Sequence, residues 1–460
     1  VGDIPGLAGG RQGHERLAKL IPLVLRGLAA GTAERAAPGP AGGPAPVAAS
    51  VAALEPLVPE HGVGVEKALS ELSTLLAAGS ADPADPWCAA HLHCPPLAVG
   101  VAADVVAGAL NPSMDSWDQA PVASELERAF LGAVARLCYP GEPAPDALVT
   151  TGGTESNLLG LLLAREQNPR VQPVCGRNAH HSVARAAWLL GLPAPVVVEC
   201  DGERLSPAAL DEVLHSTGPA VVAATAGTTN TGEIDPLRDL AEICRSHQAR
   251  LHVDASYGGL ALCSPRLAHL LDGLAEADSI ALDLHKFGWQ PIASGLFAVR
   301  DAADLAALDI TAEYLNADDD TEAGLPDLLG RSLRTSRRPD AFRMAVTLRA
   351  LGWAGIGALV EHCCDTAREV ANDIEQHAGL ELWGPPTLST VLFRPVSGDV
   401  AAVRRTLLEA GTAIIGRATM PPGEVWLKLT LLHPHTTAAD YRGLLDTVVA
   451  TARSGAAVAS

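Results

Sequence analysis

Between about residues 120 and 300 the chain alternates short apolar runs with segments of helical length. DALVTTGG, PAPVVVE, PAVVAATAG, RLHVDAS, DSIALDLH and SGLFAVR read as strands, because apolar and β-branched residues fill consecutive positions between turn formers. SNLLGLLLAREQ, HSVARAAWLLG, SPAALDEVLHS and PLRDLAEICRSHQ read as helices between or around them. A strand that is apolar almost throughout has no face for water, so both sides must be covered. That alternation predicts an α/β fold around a mainly parallel sheet with helices on both faces.

The flanking segments read differently. Residues 1–37 form an amphipathic helix and its exit, with Arg11, Glu15, Arg16 and Lys19 at helical spacing. The absence of a basic stretch leading into a clean apolar run argues against a signal peptide. Residues 38–49, PGPAGGPAPVAA, read as a linker or ordered loop, and residues 51–79 as helix. ADPADPWCAAHLHCPP carries too many prolines for a helix; LAVGVAADVVAGAL then reads as an apolar helix. Residues 339–376 return to helix, and residues 385–449 carry the strands LSTVLFRP and VWLKLTLLHP in a smaller α+β unit. The expected division is an N-terminal helical segment over 1–87, a large domain over 88–345 and a small C-terminal domain over 346–460.

Composition narrows the function classes. Acidic residues outnumber basic ones 53 to 33, a net charge of −20 that repels phosphodiester backbones, so no nucleic-acid partner is expected. No apolar run approaches the ~18 residues of a membrane span. The nine cysteines are scattered without a C-x-x-C pair. They read as buried, reduced thiols of a cytoplasmic protein, and no metal site is expected.

In open α/β sheets, ligands sit at the carboxyl ends of the strands. After DALVT comes Thr151-Gly152-Gly153-Thr154 and a helix, which offers backbone N–H groups to a phosphate. After RLHV comes Asp254, a carboxylate at the end of a buried strand that needs a cationic partner such as a pyridinium nitrogen. After SIALDL come His285 and Lys286; burial would lower the pKa of a lysine there and make it able to bond a carbonyl as a Schiff base. His180 and His181 open the helix SVARAAWLL, where an imidazole can lie flat on a planar ring. Each feature alone has an ordinary reading: a capped tight turn, a turn-capping Asp, a snorkelling lysine, a helix-terminal polar pair. In the chain order phosphate turn, His, Asp, Lys, at the ends of successive elements of one sheet, they are the parts needed to hold pyridoxal 5′-phosphate.

At these motifs the chain resembles the group II pyridoxal-phosphate-dependent amino-acid decarboxylases, which have the fold-type I architecture. The carriers are HLHCPP, NPSMDSWDQAPVASELE, TTGGTESNLLGLLLARE, AHHSVARAA, ATAGTTNTGEIDP, LHVDASYGG, LDLHKFGWQPIASGLFAVRD and SLRTSRRPDAFRM. Within the group, NPSMDSWDQ, AEYLNADDDTEAGLPDLLGRSLRTSRR and LKLTLLHP resemble the bacterial branch acting on 2,4-diaminobutyrate, ornithine or lysine, often in siderophore or polyamine biosynthesis.

The resemblance implies a mainly parallel seven-stranded sheet in the large domain and a homodimer with shared active sites. It implies that Lys286 bonds the cofactor, that Asp254 pairs the pyridine nitrogen, and that His180 stacks on the ring and takes part in proton transfer. Gly153, Thr154 and His285 would bind the phosphate, and Thr228 would lie near the ring's 3′-oxygen. Thr335 and Ser336 would approach the phosphate from the partner chain. His93, Trp117 and Gln119 would line the substrate pocket, with Asp115 and Asp118 as further groups for a second cation. Two departures stand out. Ser256 stands where the family usually has Ala, beside the cofactor. GLPDLLGRS lacks the loop tyrosine of the aromatic-amino-acid branch; the chain's tyrosines are 139, 257, 314 and 441. The implied reaction is decarboxylation of a diamino acid. Decarboxylation of a small amino acid such as valine, oxidative deamination to an aldehyde, and a catalytically silent binding protein are the alternatives.

Overall fold

The computed structural model describes residues 6–309 and 318–459. They divide into two compact units. One comprises Val1–Pro95, Thr366–Pro385 and Thr390–Ser460; the other comprises Pro96–Asp365 and Pro386–Ser389. In this division the N-terminal segment falls in the same unit as the C-terminal sheet.

The first unit opens with α1 (Gly13–Arg35), α2 (Pro44–Ala52) and α3 (Val65–Gly79). Helix α2 corrects the expected loop over 38–49: Pro44 stands at its first turn, where a missing N–H costs nothing. The expected helix over 51–79 starts only at Val65, because Pro56, Pro59, Gly62 and Gly64 break the preceding stretch.

The second unit begins with α4 (Ala98–Leu110) and α5 (Pro121–Cys138). Its sheet is built from β1 (Asp146–Thr150), β2 (Gln172–Gly176), β3 (Val196–Val198), β6 (Ala220–Thr225), β7 (Arg250–Asp254), β8 (Ser279–Asp283) and β9 (Gly295–Val299). A small hairpin, β4 (Cys200–Asp201) with β5 (Arg204–Leu205), lies between β3 and β6 in the chain. The order in the sheet is β1-β9-β8-β7-β6-β2-β3, and β9 alone runs antiparallel to its neighbours. This is the expected mainly parallel seven-stranded sheet, with β2 as a strand that was not among those expected. Every residue of β6, β8 and β9 is buried, so both faces are covered, as a run with no polar alternation requires. The connecting helices are α6 (Gly153–Gln167), α7 (Ser182–Leu189), α8 (Pro207–Ser216) and α9 (Leu237–Ser246).

The short α10 (Asp318–Glu322) and the long α11 (Asp340–Gln376) follow. Helix α11 is long and apolar enough by composition to cross a membrane, but it breaks at Gly352, which is non-helical (φ 67°, ψ 170°). Its charged residues include Arg343, Glu361, Asp365 and Arg368. The rest of the first unit is a four-stranded antiparallel sheet, β10 (Leu380–Leu382), β11 (Thr390–Pro395), β13 (Glu424–Thr430) and β12 (Gly416–Met420) in that order. Helices α12 (Val400–Glu409) and α13 (Ala439–Ala459) complete it, around a core that includes Val391, Phe393, Leu427, Leu429, Tyr441 and Leu444. The loop after α3 is tied to this sheet by Ala89, whose N–H donates to Ile414 and whose carbonyl accepts from Thr430.

Register decides where chemistry can occur. Thr225 pairs with Asp254, Asp254 with Ala281, Asp283 with Gly295, and Thr150 with Gly295. The carboxyl ends of β1, β8, β7 and β6 therefore meet at one edge. Elsewhere in this unit, Arg337 is held by Glu127 of α5 in a bidentate pair, 2.6 and 2.8 Å, with 1% and 6% of the side chains exposed. Removing one member of such a pair strands a buried charge. Glu127→Ala is expected to destabilise this unit by about 3–5 kcal/mol, read as a lowered urea midpoint. Replacing both residues by apolar ones of similar volume should cost far less.

Candidate active site

The Gly-rich turn comes directly after β1. Gly152 sits at φ 143°, a backbone that side-chain-bearing residues rarely adopt. A Cβ there would lie 2.9 Å from His285, and one at Gly153 would lie 2.2 Å from Ser256 Oγ. The sequence thus keeps a bare backbone where α6 begins and the Gly153 and Thr154 N–H groups lack an intrahelical acceptor. Thr154 lies exposed in the first turn, and Glu155 accepts from the Thr151 N–H and hydroxyl.

Lys286 stands in the turn after β8, its ammonium 2.9 Å from Asp283 Oδ2. The same carboxylate lies 3.5 Å from His285 Nε2, and its own side chain is 2% exposed. A buried carboxylate thus faces the lysine that follows the apolar strand. The other oxygen, Asp283 Oδ1, makes no hydrogen bond and lies against the Gly152 turn. Burial lowers the His285 pKa, against the opposing pull of Asp283.

Asp254 ends β7. Burial raises its pKa, but the Lys286 charge and hydrogen bonds outweigh this and leave it below the usual value. Oδ1 accepts from the Ser256 N–H at 3.1 Å and Oδ2 from Asn157 Nδ2 at 2.7 Å. Asn157, on α6, also contacts Ser182 Oγ at 2.8 Å and His252 Nε2 at 2.9 Å. His180 reaches Ser182 Oγ through Nδ1 at 2.8 Å, and burial lowers its pKa while Asp254 pulls the other way. The loop bearing His180 is anchored by Asn178, which donates to Asp235; Asp235 also accepts from the N–H groups of Thr225 and Leu205. Thr228, buried after β6, contacts Thr231 Oγ1 at 2.8 Å and accepts from the Glu233 N–H.

Gly153, His285, Lys286, Asp254, Ser256 and His180 are thus linked by contacts or electrostatic coupling at one sheet edge. Asn157, Ser182, His252 and Asp283 were missed. His252 was legible: in HVD it lies two residues before Asp254 on one strand and so shares its face. Thr335 and Ser336 are exposed, and neighbouring Arg334 approaches Glu155 at 3.7 Å. Trp117 is half-buried in the turn before α5, where Gln119 donates to Asp115 and Ser116, and Ser116 to Asp118. His93 is exposed in the first unit, and its assignment to the pocket rests on the resemblance alone. Tyr314 and the stretch AEYLNA fall outside the described residues. None of the nine cysteines forms a disulfide, and burial pushes Cys88, Cys138, Cys244 and Cys263 up to about 12, which makes them poor nucleophiles. Among the described residues one group could chelate a metal, Asp211 with His215 and His247, on α8 and after α9.

The site fits pyridoxal 5′-phosphate. A carboxylate kept charged matches a ring nitrogen, a side-chain-free turn at a helix start matches a phosphate, and a lysine beside both matches an aldehyde. Comparison with known proteins agrees. Residues 48–396 match the family model described as the pyridoxal-dependent decarboxylase conserved domain. The chain is 38% identical over 421 residues to an L-2,4-diaminobutyrate decarboxylase of Rhizobium meliloti (strain 1021), covering 87% of this chain and 84% of that one. It is 34% identical over 435 residues to an L-2,4-diaminobutyrate decarboxylase of Acinetobacter baumannii, covering 85% of each. Among solved structures it resembles the glutamate decarboxylase domain of diaminobutyrate-pyruvate transaminase and L-2,4-diaminobutyrate decarboxylase from Vibrio parahaemolyticus, at TM-score 0.86 and 27% identity over 97% of this chain and 98% of that one.

His252 gives the site a pH effect. Burial lowers its pKa from 6.5 to about 4, so the unfolded chain binds a proton there before the folded one does. Stability from this group is full above about 6.5 and is lost as pH falls toward about 4. His252→Gln should flatten that part of the urea-stability profile, by up to about 3 kcal/mol between the two ends.

Proposed function

The chain belongs to the pyridoxal-dependent decarboxylases, and from that premise we propose that it removes the carboxyl group of an L-amino acid bearing a second amine, with L-2,4-diaminobutyrate as the first candidate and ornithine and lysine next. The observation carrying the reading is the meeting of the Gly152–Gly153 turn, Asp254 and Lys286 at one sheet edge. The relatives' activity gives the substrate class.

When bound, pyridoxal 5′-phosphate supplies an electron sink for the pair left by departing CO₂. The chain's residues do the rest. Lys286 would hold the cofactor covalently. Asp254 would keep the ring nitrogen protonated. His180 would stack on the ring and take part in proton transfer. Gly153, Thr154 and His285 would hold the phosphate, Thr228 would lie near the 3′-oxygen, and Ser256 would lie beside the ring. Trp117 and Gln119 contact the substrate, and Asp115 and Asp118 offer carboxylates for its far amine.

The working form is a homodimer in which Thr335 and Ser336 reach the partner's phosphate. Exposed apolar side chains along α4, Val101, Val105, Val106 and Leu110, support an interface of this kind. Nine cysteines outside any disulfide and the charged, broken α11 favour the cytoplasm over a membrane. Polyamine or siderophore supply fits a diamine product.

The purified protein with added cofactor is expected to show an absorption band near ~420 nm that Lys286→Ala abolishes. L-2,4-diaminobutyrate should yield CO₂ and 1,3-diaminopropane in equal amounts without peroxide. CO₂ from valine but from no diamino acid, or peroxide with an aldehyde, would contradict the reading. Sedimentation should give twice 47.3 kDa. A fully active particle of 47.3 kDa would remove the shared site.

A further inference from the structure

We infer that His252, Asn157 and Ser182 form a hydrogen-bond relay of fixed direction, in which His252 and Asn157 are positioning residues that orient Asp254 and set the tautomer of His180. The inference rests on the placement of the ring nitrogen against Asp254 proposed above.

The direction is set by one charge. An ionised carboxylate only accepts hydrogen bonds. Asn157 must therefore turn its NH₂ toward Asp254 Oδ2, 2.7 Å away. Its carbonyl oxygen then faces His252 Nε2 at 2.9 Å and can only accept, so the His252 proton sits on Nε2. His252 is neutral in its buried place, which leaves Nδ1 bare to accept from the Ser279 hydroxyl at 2.9 Å. The second Asn157 N–H donates to Ser182 Oγ at 2.8 Å. That hydroxyl passes its own hydrogen to His180 Nδ1 at 2.8 Å, and the Ser182 N–H approaches the same atom at 3.4 Å. Nδ1 of His180 is thus an acceptor, and the proton of the neutral ring lies on Nε2. A flip of Asn157 would set its oxygen against the carboxylate and its NH₂ against a donor.

Helix α6 gives up a side chain to admit this arrangement. A Cβ at Gly160 would lie 2.6 Å from His252 Nδ1. The glycine leaves room for the imidazole beneath Asn157, in the middle of a helix where glycine is otherwise unfavourable.

The test compares His252→Gln with His252→Leu in the holoenzyme. Glutamine keeps a donor for Asn157; leucine fills the space but leaves the Asn157 carbonyl without its donor and the amide less firmly held against Asp254. The readouts are the cofactor dissociation constant and the pH dependence of the cofactor's absorption. His252→Leu is expected to weaken cofactor binding by roughly tenfold and to shift the spectral titration, with His252→Gln within about threefold of the parent. Leucine matching or exceeding glutamine would mean that His252 only packs, and would overturn the inference. Asp254→Asn separates the two levels. If it changes neither readout, the ring-nitrogen placement falls and the relay with it; if it acts while His252→Leu does not, the relay alone falls. Nitrogen-15 spectra of histidine-labelled protein give a reading that needs no core variant. His180 Nδ1 should be pyridine-like and Nε2 pyrrole-like, with mixed tautomers in Ser182→Ala. A pyrrole-like Nδ1 in the parent would overturn the assigned direction.

Discussion

The charge of Asp254 is the constraint on which the site depends. A carboxylate at the end of a buried strand is costly unless compensated. Here the compensation comes from three places: the Lys286 charge, the Ser256 N–H and the Asn157 amide. Each comes from a different stretch of chain, the turns after β8 and β7 and the second turn of α6. Parallel register brings them together, because Thr225, Asp254 and Ala281 are cross-strand neighbours. The fold thus presents a fixed negative charge held by contacts from three segments.

The second constraint is steric. The Gly152–Gly153 turn passes so close to β9, His285 and Ser256 that no side chain fits. A Cβ on Gly295, across from Thr150, would itself lie 2.4 Å from the Gly152 backbone. The antiparallel β9 thus brings backbone against backbone beside the helix start. Asp283, at the end of β8, presses one oxygen against Lys286 and leaves the other unbonded beside the turn. An anion held there meets helix N–H groups and imidazole, with a carboxylate nearby that the lysine balances.

Much of this was legible in the amino-acid sequence. Apolar strands without alternation demanded a doubly covered sheet, and the residues immediately after each strand located Gly153, Asp254, His285 and Lys286. Other parts were not legible. PGPAGGPAPVAA looks like a loop because prolines break helix interiors, yet Pro44 occupies a first turn where it is tolerated. QPVCG escaped notice as a strand because it is short and begins with Gln and Pro. Asn157 is one polar residue in an apolar helix, and nothing local says that it points to a strand nearly a hundred residues away. The segments around His93, Trp117 and Gln119 are a different case: they lie outside helix and strand, and a substrate role for them is proposed from the family resemblance alone.

The most direct measurement is a crystal structure of the protein with pyridoxal 5′-phosphate bound. Continuous density is expected from the cofactor to Lys286 Nζ, with the ring nitrogen within about 3 Å of Asp254 and the phosphate on the N–H groups of the Gly152–Gly153–Thr154 turn. A ring nitrogen turned to solvent with Asp254 unengaged, or a phosphate seated away from that turn, would contradict the central role given to that charge.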